Sequence, residues 1–243
     1  MRFNSVLISS FLLVSVGPSL TVCRRTDRRS QPYSGEFTTN FAGAELAIDH
    51  GAFYSVIGMF TIPEISSSSS NNSPVSAWVG INGDGTCGDL SLRAGVTIYD
   101  SPSGPVYNAW YDWFSQPPIN FTSLTFSAGD VIGVAVGAPV NTTYGLVIIE
   151  NSTKQQATSE NISSTHASGL CGQTAEWIVE TFPDNPIPNF SPIAFTDVRA
   201  YTLDGQTYGP QNATIINLVN VSDTSEVLTS VLVTGDSVTI KHV

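Results

Sequence analysis

Two segments of this 243-residue chain carry carboxylates and amides at alternate positions, and these are side chains that could do chemistry. The alternating residues are Glu176, Ile178 and Glu180 in one segment and Asn108, Trp110, Asp112 and Phe114 in the other. In a strand, residues two apart point to the same face of the sheet. Because a hydrophobic core does not accept several carboxylates and amides together, we predict that this face lines a groove. A carboxyl group in such a groove can serve as a general acid or base.

Two more segments would extend the predicted groove if their strands join the same sheet. One segment carries Trp78 and Asn82, and the other carries Arg93 and Thr97. The residues of each pair are four positions apart, so they point to the same face of a strand. They would add an aromatic ring, a cation and polar groups to the carboxylates. From these residues alone, the favoured interpretation of Glu180 is a carboxylate on a surface strand, and Arg93 could be a solvated strand residue.

The four tryptophans divide between the two faces of the predicted sheet. Alternation places Trp113 and Trp177 opposite the groove face, so we predict that both lie in the hydrophobic core. Trp78 and Trp110 fall on the groove face, where an aromatic ring can contact a ligand.

Short segments rich in β-branched and aromatic residues, separated by Gly, Pro and Asn, predict antiparallel strands along the chain. The predicted strands are 44–48, 54–61, 77–81, 90–98, 107–114, 123–126, 131–136, 145–150, 175–181, 193–201 and 231–240. No segment shows sustained helical periodicity with caps. We therefore predict an all-β fold, a two-sheet antiparallel β-sandwich forming a single domain. The polar tracts 66–73 and 151–168 are predicted to be loops or hairpin excursions.

The beginning of the chain has the features of a secretory leader. Residues 1–22 combine an early basic residue, a short apolar stretch and small residues, which predicts a signal peptide. Residues 23–30 carry two dibasic pairs and are interpreted as a short basic pro-segment. The mature domain is then 31–243, and we expect the protein to be secreted and extracellular.

The mature domain is strongly acidic. Five of the nine Lys and Arg residues lie in the first 30 positions, which leaves four against nineteen Asp and Glu. This balance repels nucleic acid and anionic membranes, so we expect neither as a partner. It suits a protein that works at low pH, although acidity could also serve solubility alone.

Cysteines and glycosylation sequons agree with the secreted interpretation. Cys87 and Cys171 remain in the mature chain, an even pair in an oxidising compartment, and we predict a disulfide between them. Sequons for N-glycosylation occur at Asn71, Asn120, Asn141, Asn151, Asn161, Asn189, Asn212 and Asn220.

Other motifs point to no cofactor or metal. The run 83–88 has the letters of a dinucleotide fingerprint, but the predicted helix and parallel unit around it are missing. The same run lacks the spacing and terminal glutamate of a calcium loop. His50, His166 and His242 are scattered, and the chain has no Gly-x-Ser-x-Gly or His-Glu-x-x-His motif. A serine hydrolase or zinc enzyme is therefore disfavoured.

Several long motifs, in order, resemble those of the fungal glutamic peptidases (eqolisins). They are the segments 39–44 (TNFAGA), 77–87 (AWVGINGDGTC), 92–95 (LRAG), 107–113 (YNAWYDW), 127–132 (SAGDVI) and 175–182 (AEWIVETF). The resemblance covers almost the whole mature chain. It implies a concanavalin A-like sandwich, the disulfide predicted above, a monomer that acts on protein or peptide substrates, and chemistry without a cofactor.

The resemblance also assigns two catalytic positions. In the family a glutamate acts as general acid and base, and a glutamine helps to hold the attacking water and donates to the oxyanion. Glu180 matches the glutamate, and Arg93 occupies the place of the glutamine. Glu176 lies in the same motif as Glu180 and is expected in the substrate groove.

The polar residues around these positions depart from the family pattern. Asn82, Thr97 and Asn108 stand where the family has aspartates, and Phe114 stands where it has a tyrosine. With these aspartates lost, we expect Glu180 to be the counter-charge of Arg93. Two functions stay open: an acid endopeptidase, and a catalytically inactive homologue that binds peptide or glycan in the same groove.

Overall fold

The structure is a computed structural model, and it describes residues 35–48, 52–64, 73–82, 90–113, 116–165, 169–182 and 190–243. These residues form strands, turns and irregular segments, with no helix among them. No described segment is a helix of the length and apolarity needed to cross a bilayer.

Sixteen strands are present in the described part of the chain. Their bounds are β1 Glu36–Thr38, β2 Phe41–Ala47, β3 Phe53–Thr61, β4 Val75–Asn82, β5 Ser91–Ser101, β6 Gly104–Trp113, β7 Ile119–Asn120, β8 Val131–Gly137, β9 Tyr144–Asn151, β10 Gln156–Ser163, β11 Thr174–Thr181, β12 Ile193–Thr202, β13 Thr207–Tyr208, β14 Thr214–Leu218, β15 Thr229–Thr234 and β16 Ser237–His242.

The strands form two sheets, as the sequence predicted. The first has the order β1-β14-β2-β11-β4-β5-β6-β7, and the second has the order β10-β9-β8-β3-β12-β16-β15, with β13 paired to β12. Pairing is antiparallel except between β1 and β14. In the first sheet β11 lies between β2 and β4, so distant parts of the chain become neighbours.

One continuous hydrophobic core lies between the sheets. It takes alternate residues of the longer strands, including Trp113 and Trp177, which are fully buried. The Trp177 indole N–H donates to the Ile57 carbonyl oxygen of the second sheet at 2.8 Å, which satisfies its polar atom inside the core. The prediction that these two tryptophans are core residues is confirmed.

Two predictions about individual elements need correction. Residues 123–126 form no strand, although side chains there pack on the core. Residues 231–240 are not one strand but parts of β15 and β16, joined by a turn in which Gly235 has a φ of 56°. That positive φ favours glycine and allows the chain to reverse. The polar tract 151–168, predicted to be a loop or a hairpin excursion, contains β10, which pairs with β9 as a hairpin.

Candidate active site

The outer face of the first sheet carries the predicted groove residues in three rows that cross the strands. A charged row consists of Thr214, Glu45, Glu176, Gly80, Arg93 and Asp112. A tryptophan row consists of Ile216, Gly43, Ile178, Trp78, Gly95, Trp110 and Asn120. A third row, the Glu180 row, consists of Phe41, Glu180, Ser76, Thr97 and Asn108. The strands therefore bring together the side chains that the sequence assigned to one face.

The tryptophan row forms a small apolar cluster that is separate from the core. Trp78, Trp110, Ile178 and Ile216 are buried together, and Phe41 packs edge-on against Trp78. Both tryptophans lie on the predicted face. Only 3% of Trp78 and 6% of Trp110 is exposed, so neighbouring side chains cover the rings more fully than an open groove would require.

Arg93 is held by an ion pair and two aromatic rings. Its Nε and Nη2 atoms donate to the two carboxylate oxygens of Asp112, at 3.0 and 2.6 Å. Its guanidinium carbon lies 5.3 Å from the ring centre of Trp78 and 5.8 Å from that of Trp110. Two-point pairing and stacking on indole rings are arrangements that the planar guanidinium favours.

The expected counter-charge of Arg93 needs revision. Asp112 is its two-point partner, whereas Glu180 lies in another row and interacts with Arg93 through charge. Burial alone would lower the pKa of Arg93, but the hydrogen bond and charge of Asp112, together with the charges of Glu180 and Glu176, outweigh it and raise the pKa. The sequence argument considered the aspartates that this chain lacks and gave too little weight to Asp112, which lies on the same sheet face as Arg93.

Glu180 is a partly buried carboxyl group that accepts a hydrogen bond from a tryptophan side chain. Its Oε2 accepts a hydrogen bond from the Trp78 indole N–H at 3.0 Å. Burial raises the pKa of Glu180, and the charge of Arg93 and the Trp78 hydrogen bond offset that effect only in part. Glu180 therefore holds its proton to a higher pH than an ordinary glutamate does.

Glu176 is the more deeply buried glutamate of the same strand. Its Oε1 accepts a hydrogen bond from the Asn82 amide at 3.2 Å, and the Thr174 hydroxyl lies 3.5 Å from the same oxygen. Burial raises the pKa of Glu176, while hydrogen bonds with Asn82 and Glu45 and the charge of Arg93 act in the opposite direction. Asn82, which replaces an aspartate of the family pattern, is thus a donor to a carboxyl group.

The remaining predicted residues have varied placements. Thr97 and Asn108 lie in the Glu180 row, and the Thr97 hydroxyl is 2.6 Å from that of Ser76. Phe114 lies outside the described residues. Cys171 is buried and is not a free thiol, but Cys87 also lies outside the described residues, so their pairing stays a prediction.

Sequence reasoning missed Glu45. Its strand was predicted from residue 44 onward, which left Phe41 and Gly43 out of the alternating pattern. Phe41, Gly43 and Glu45 share one face of β2, and the register sets Glu45 directly opposite Glu176. Alternation over the full segment would have placed Glu45 on a sheet face, but its partner depends on which strand lies next to it.

The described residues contain no group of three or more His, Cys, Asp or Glu side chains able to hold a metal ion. What the arrangement provides is a carboxyl group with a raised pKa, an indole donor and a guanidinium within one surface. These groups can exchange a proton and donate hydrogen bonds to an oxyanion.

Comparison with known proteins agrees with this picture. The profile of the Peptidase A4 family matches residues 39–242. Aspergillopepsin-2 of Aspergillus niger is 34% identical over 290 aligned positions, covering 100% of both chains. Scytalidopepsin B of Scytalidium lignicola is 33% identical over 202 positions, covering 77% of this chain and 74% of its own.

A crystal structure of scytalido-glutamic peptidase with a transition state analog inhibitor superposes on this chain with a TM-score of 0.72. The sequence identity is 30%, and the match covers 84% of this chain and 98% of that structure. Sequence and fold are thus shared. The chain belongs to the Peptidase A4 family, the glutamic peptidases (eqolisins).

Proposed function

We propose that this protein is a secreted acid endopeptidase that hydrolyses peptide bonds of protein or peptide substrates, with Glu180 as its general acid and base. The observation that supports it best is the environment of Glu180, a groove-face carboxyl whose pKa is raised by burial and whose Oε2 is held by Trp78. A group with this dual role must give and take a proton at the working pH. A raised pKa extends that ability above the range of an ordinary glutamate.

Arg93 is proposed as the donor to the oxyanion, in place of the family's glutamine. As water attacks the carbonyl carbon, its proton passes to the ionised form of Glu180 and negative charge develops on the carbonyl oxygen. The guanidinium stabilises that charge. Glu180 then returns the proton to the amide nitrogen as the carbon–nitrogen bond breaks, which gives a carboxylic acid and an amine. Asp112 neutralises Arg93 in the resting state, so the cation does not hold Glu180 fully ionised.

The test is cleavage of an acid-denatured protein by the purified secreted form across acidic pH. We expect Glu180→Gln to reduce kcat by about 10²–10⁴-fold, the range for loss of a positioned acid–base group. Glu160→Gln is the matched control, because Glu160 is an exposed residue of β10 in the other sheet. Wild-type turnover that survives in Glu180→Gln would exclude the proposed role.

A second candidate function is peptide or glycan binding without catalysis. The contacts of Arg93 favour this second function. Arg93 donates two hydrogen bonds to Asp112 and stacks against two indole rings, so its guanidinium is poorly placed to move toward an oxyanion. Arg93→Gln separates the two functions. If the wild type does not cleave the substrate and Arg93→Gln does, the natural protein is a binding protein. If the wild type cleaves the substrate and Arg93→Gln does not, Arg93 is the donor to the oxyanion.

A further inference from the structure

Asn120 is a sequon asparagine that lies at the edge of the groove. It begins the run Asn120-Phe121-Thr122, and its strand β7 is the last strand of the first sheet. The register sets it directly opposite Trp110, at the end of the tryptophan row. No other sequon asparagine of the described residues belongs to the three rows of the groove face. A glycan on Asn120 would therefore begin on the groove face itself.

The next residue along the chain fixes the direction of the Asn120 side chain. Phe121 is buried in the core, where its ring packs on Tyr111 with the ring centres 4.8 Å apart. The Phe121 N–H donates to the Ala109 carbonyl oxygen at 2.9 Å, so the chain is still paired with β6 at this point. Since successive residues of a strand point to opposite faces, Asn120 points toward the groove face.

The surroundings of Asn120 leave room for a large group. Its side chain is exposed, and no strand of the described residues lies beyond β7 in the first sheet. An N-linked glycan is bulky and hydrated, so it needs such an open position. Modification at Asn120 therefore requires no rearrangement of the sheet.

Strand spacing places Asn120 close to the proposed catalytic groups. Adjacent strands lie about 4.8 Å apart, so β7 is about 10 Å from β5, which carries Arg93, and about 14 Å from β4, which carries Trp78. Asn108 and Asp112 flank Trp110 on β6 and end the other two rows. All three rows thus end beside the position at which the glycan would begin.

We propose that Asn120 is N-glycosylated and that its glycan narrows the β7 end of the groove, which then accepts an extended peptide and excludes a folded protein. A flexible peptide can pass a bulky group, whereas a folded surface that approaches the sheet broadly would overlap it. Selectivity then comes from a steric element that disfavours the wrong partner. Both parts rest on the proposed function, because modification requires secretion and selectivity requires a peptide in the groove.

The first measurement is glycan occupancy in the full chain secreted from a glycosylating host. Peptide mass spectrometry with and without enzymatic deglycosylation reports occupancy at Asn120. Thr122→Ala removes the sequon and keeps the asparagine, and Thr122 is exposed. We expect Asn120 to carry a glycan in the wild type and none in Thr122→Ala. An unmodified Asn120 in the secreted wild type would overturn the proposal.

The second measurement compares two probes that contain one sequence, an unstructured peptide with apolar side chains. One probe is the free peptide, and the other presents it as a loop of a folded carrier protein. All proteins carry Glu180→Gln, so that a bound probe is not cleaved. We expect Thr122→Ala to bind the carrier severalfold more tightly than the glycosylated protein does, and the free peptide equally well.

Asn161→Gln is the matched control for the loss of a glycan elsewhere. Asn161 is an exposed sequon asparagine of β10, the edge strand of the second sheet. Removal of that sequon should change the affinity for neither probe, because its glycan would lie on the other sheet.

The outcomes separate this proposal from the proposed function. If the glycosylated protein and Thr122→Ala discriminate equally between the two probes, the selectivity is overturned while peptide binding stands. If the free peptide binds to no form of the protein, peptide recognition by the groove fails and the selectivity fails with it. Enzymatic removal of the glycan from the folded Glu180→Gln protein repeats the comparison without a substitution at the sequon, so the result does not depend on the folding of Thr122→Ala.

Discussion

Trp78 is the side chain that links the two proposed catalytic positions. Its indole N–H donates to Glu180, and its ring faces the guanidinium of Arg93. Glu180 and Arg93 lie in different rows of the sheet with the tryptophan row between them. A change at Trp78 should therefore alter the proton affinity of Glu180 directly.

We predict that Trp78→Phe raises the pKa of Glu180 further. The indole hydrogen bond stabilises the carboxylate, so its removal favours the protonated form. Titration of the Glu180 carboxyl carbon by NMR measures this shift, and the limb of the pH–rate profile governed by Glu180 should move to higher pH. Trp110→Phe is the control, since the Trp110 indole has no hydrogen-bond partner in the described residues. An unchanged or lowered pKa in Trp78→Phe would contradict the assigned contact.

A second prediction concerns Asp112, the partner that neutralises Arg93. Asp112→Asn leaves a guanidinium that is only 13% exposed without its paired charge, which should cost about 3–5 kcal/mol of unfolding free energy. The double variant Arg93→Gln with Asp112→Asn removes both charges and should be markedly more stable than Asp112→Asn alone. Chemical denaturation of the two single variants and the double variant measures the coupling. Additive losses would show that the pair is not coupled.

At the scale of the elements, two glycines of β4 and β5 leave the space that the side chains of Trp78 and Arg93 occupy above the sheet. Gly80 leaves space beneath Trp78 and Arg93, since a Cβ there would lie 3.0 Å from the Trp78 ring and 3.2 Å from Arg93 Cγ. Gly95 is packed more tightly still. A Cβ there would overlap the Ala77 carbonyl oxygen and come within 2.5 Å of Trp78 Cβ.

We predict that Gly95→Ala destabilises the protein by about 1–3 kcal/mol, the usual cost of overpacking. Because the overlap involves backbone atoms of β4, the strand itself must shift, and Trp78 with it. Gly35→Ala is the matched control, as its nearest neighbour would be at an ordinary 3.5 Å. Thermal or urea unfolding compares the two variants, and equal stability would contradict the packing described for β4 and β5.

At the scale of the whole molecule, the fold gives the sequon asparagines of the described residues different exposures, and Asn220 is half-buried. Exposed sequon asparagines in the described part are Asn120, Asn141, Asn161 and Asn212. Asn151 is fully buried instead, and its amide donates to the Thr125 carbonyl oxygen at 2.9 Å and to the Asp130 carboxylate at 2.8 Å. A glycan has no room on that nitrogen.

We therefore predict that Asn151 carries no glycan when the protein is produced by a glycosylating host. The amide that would be modified is already used inside the fold, next to the Asp130–Lys154 ion pair. Peptide mass spectrometry with and without enzymatic deglycosylation measures occupancy at each sequon. Occupancy at any of the exposed sites is compatible with the fold, while a glycan on Asn151 in folded protein would contradict it.

The sequence by itself determined the class of fold and the composition of the groove face. Alternation is local, so it assigned Trp113 and Trp177 to the core and Trp78 and Trp110 to the other face without reference to any partner strand. The motifs determined the family. The polar tract that contains β10 left a loop and a hairpin equally open, and the turn at Gly235 was overlooked, because the pattern of side chains in these places does not define the path of the backbone.

Only the tertiary structure decided which groups meet. The placement of β11 between β2 and β4 sets Glu45 opposite Glu176, and the pairing of β5 with β6 sets Asp112 opposite Arg93. Strand order depends on contacts between segments far apart in the chain, which no local pattern contains. Burial, which raises the pKa of Glu180 and Glu176, is likewise a property of the packed sheet and not of the residues in order.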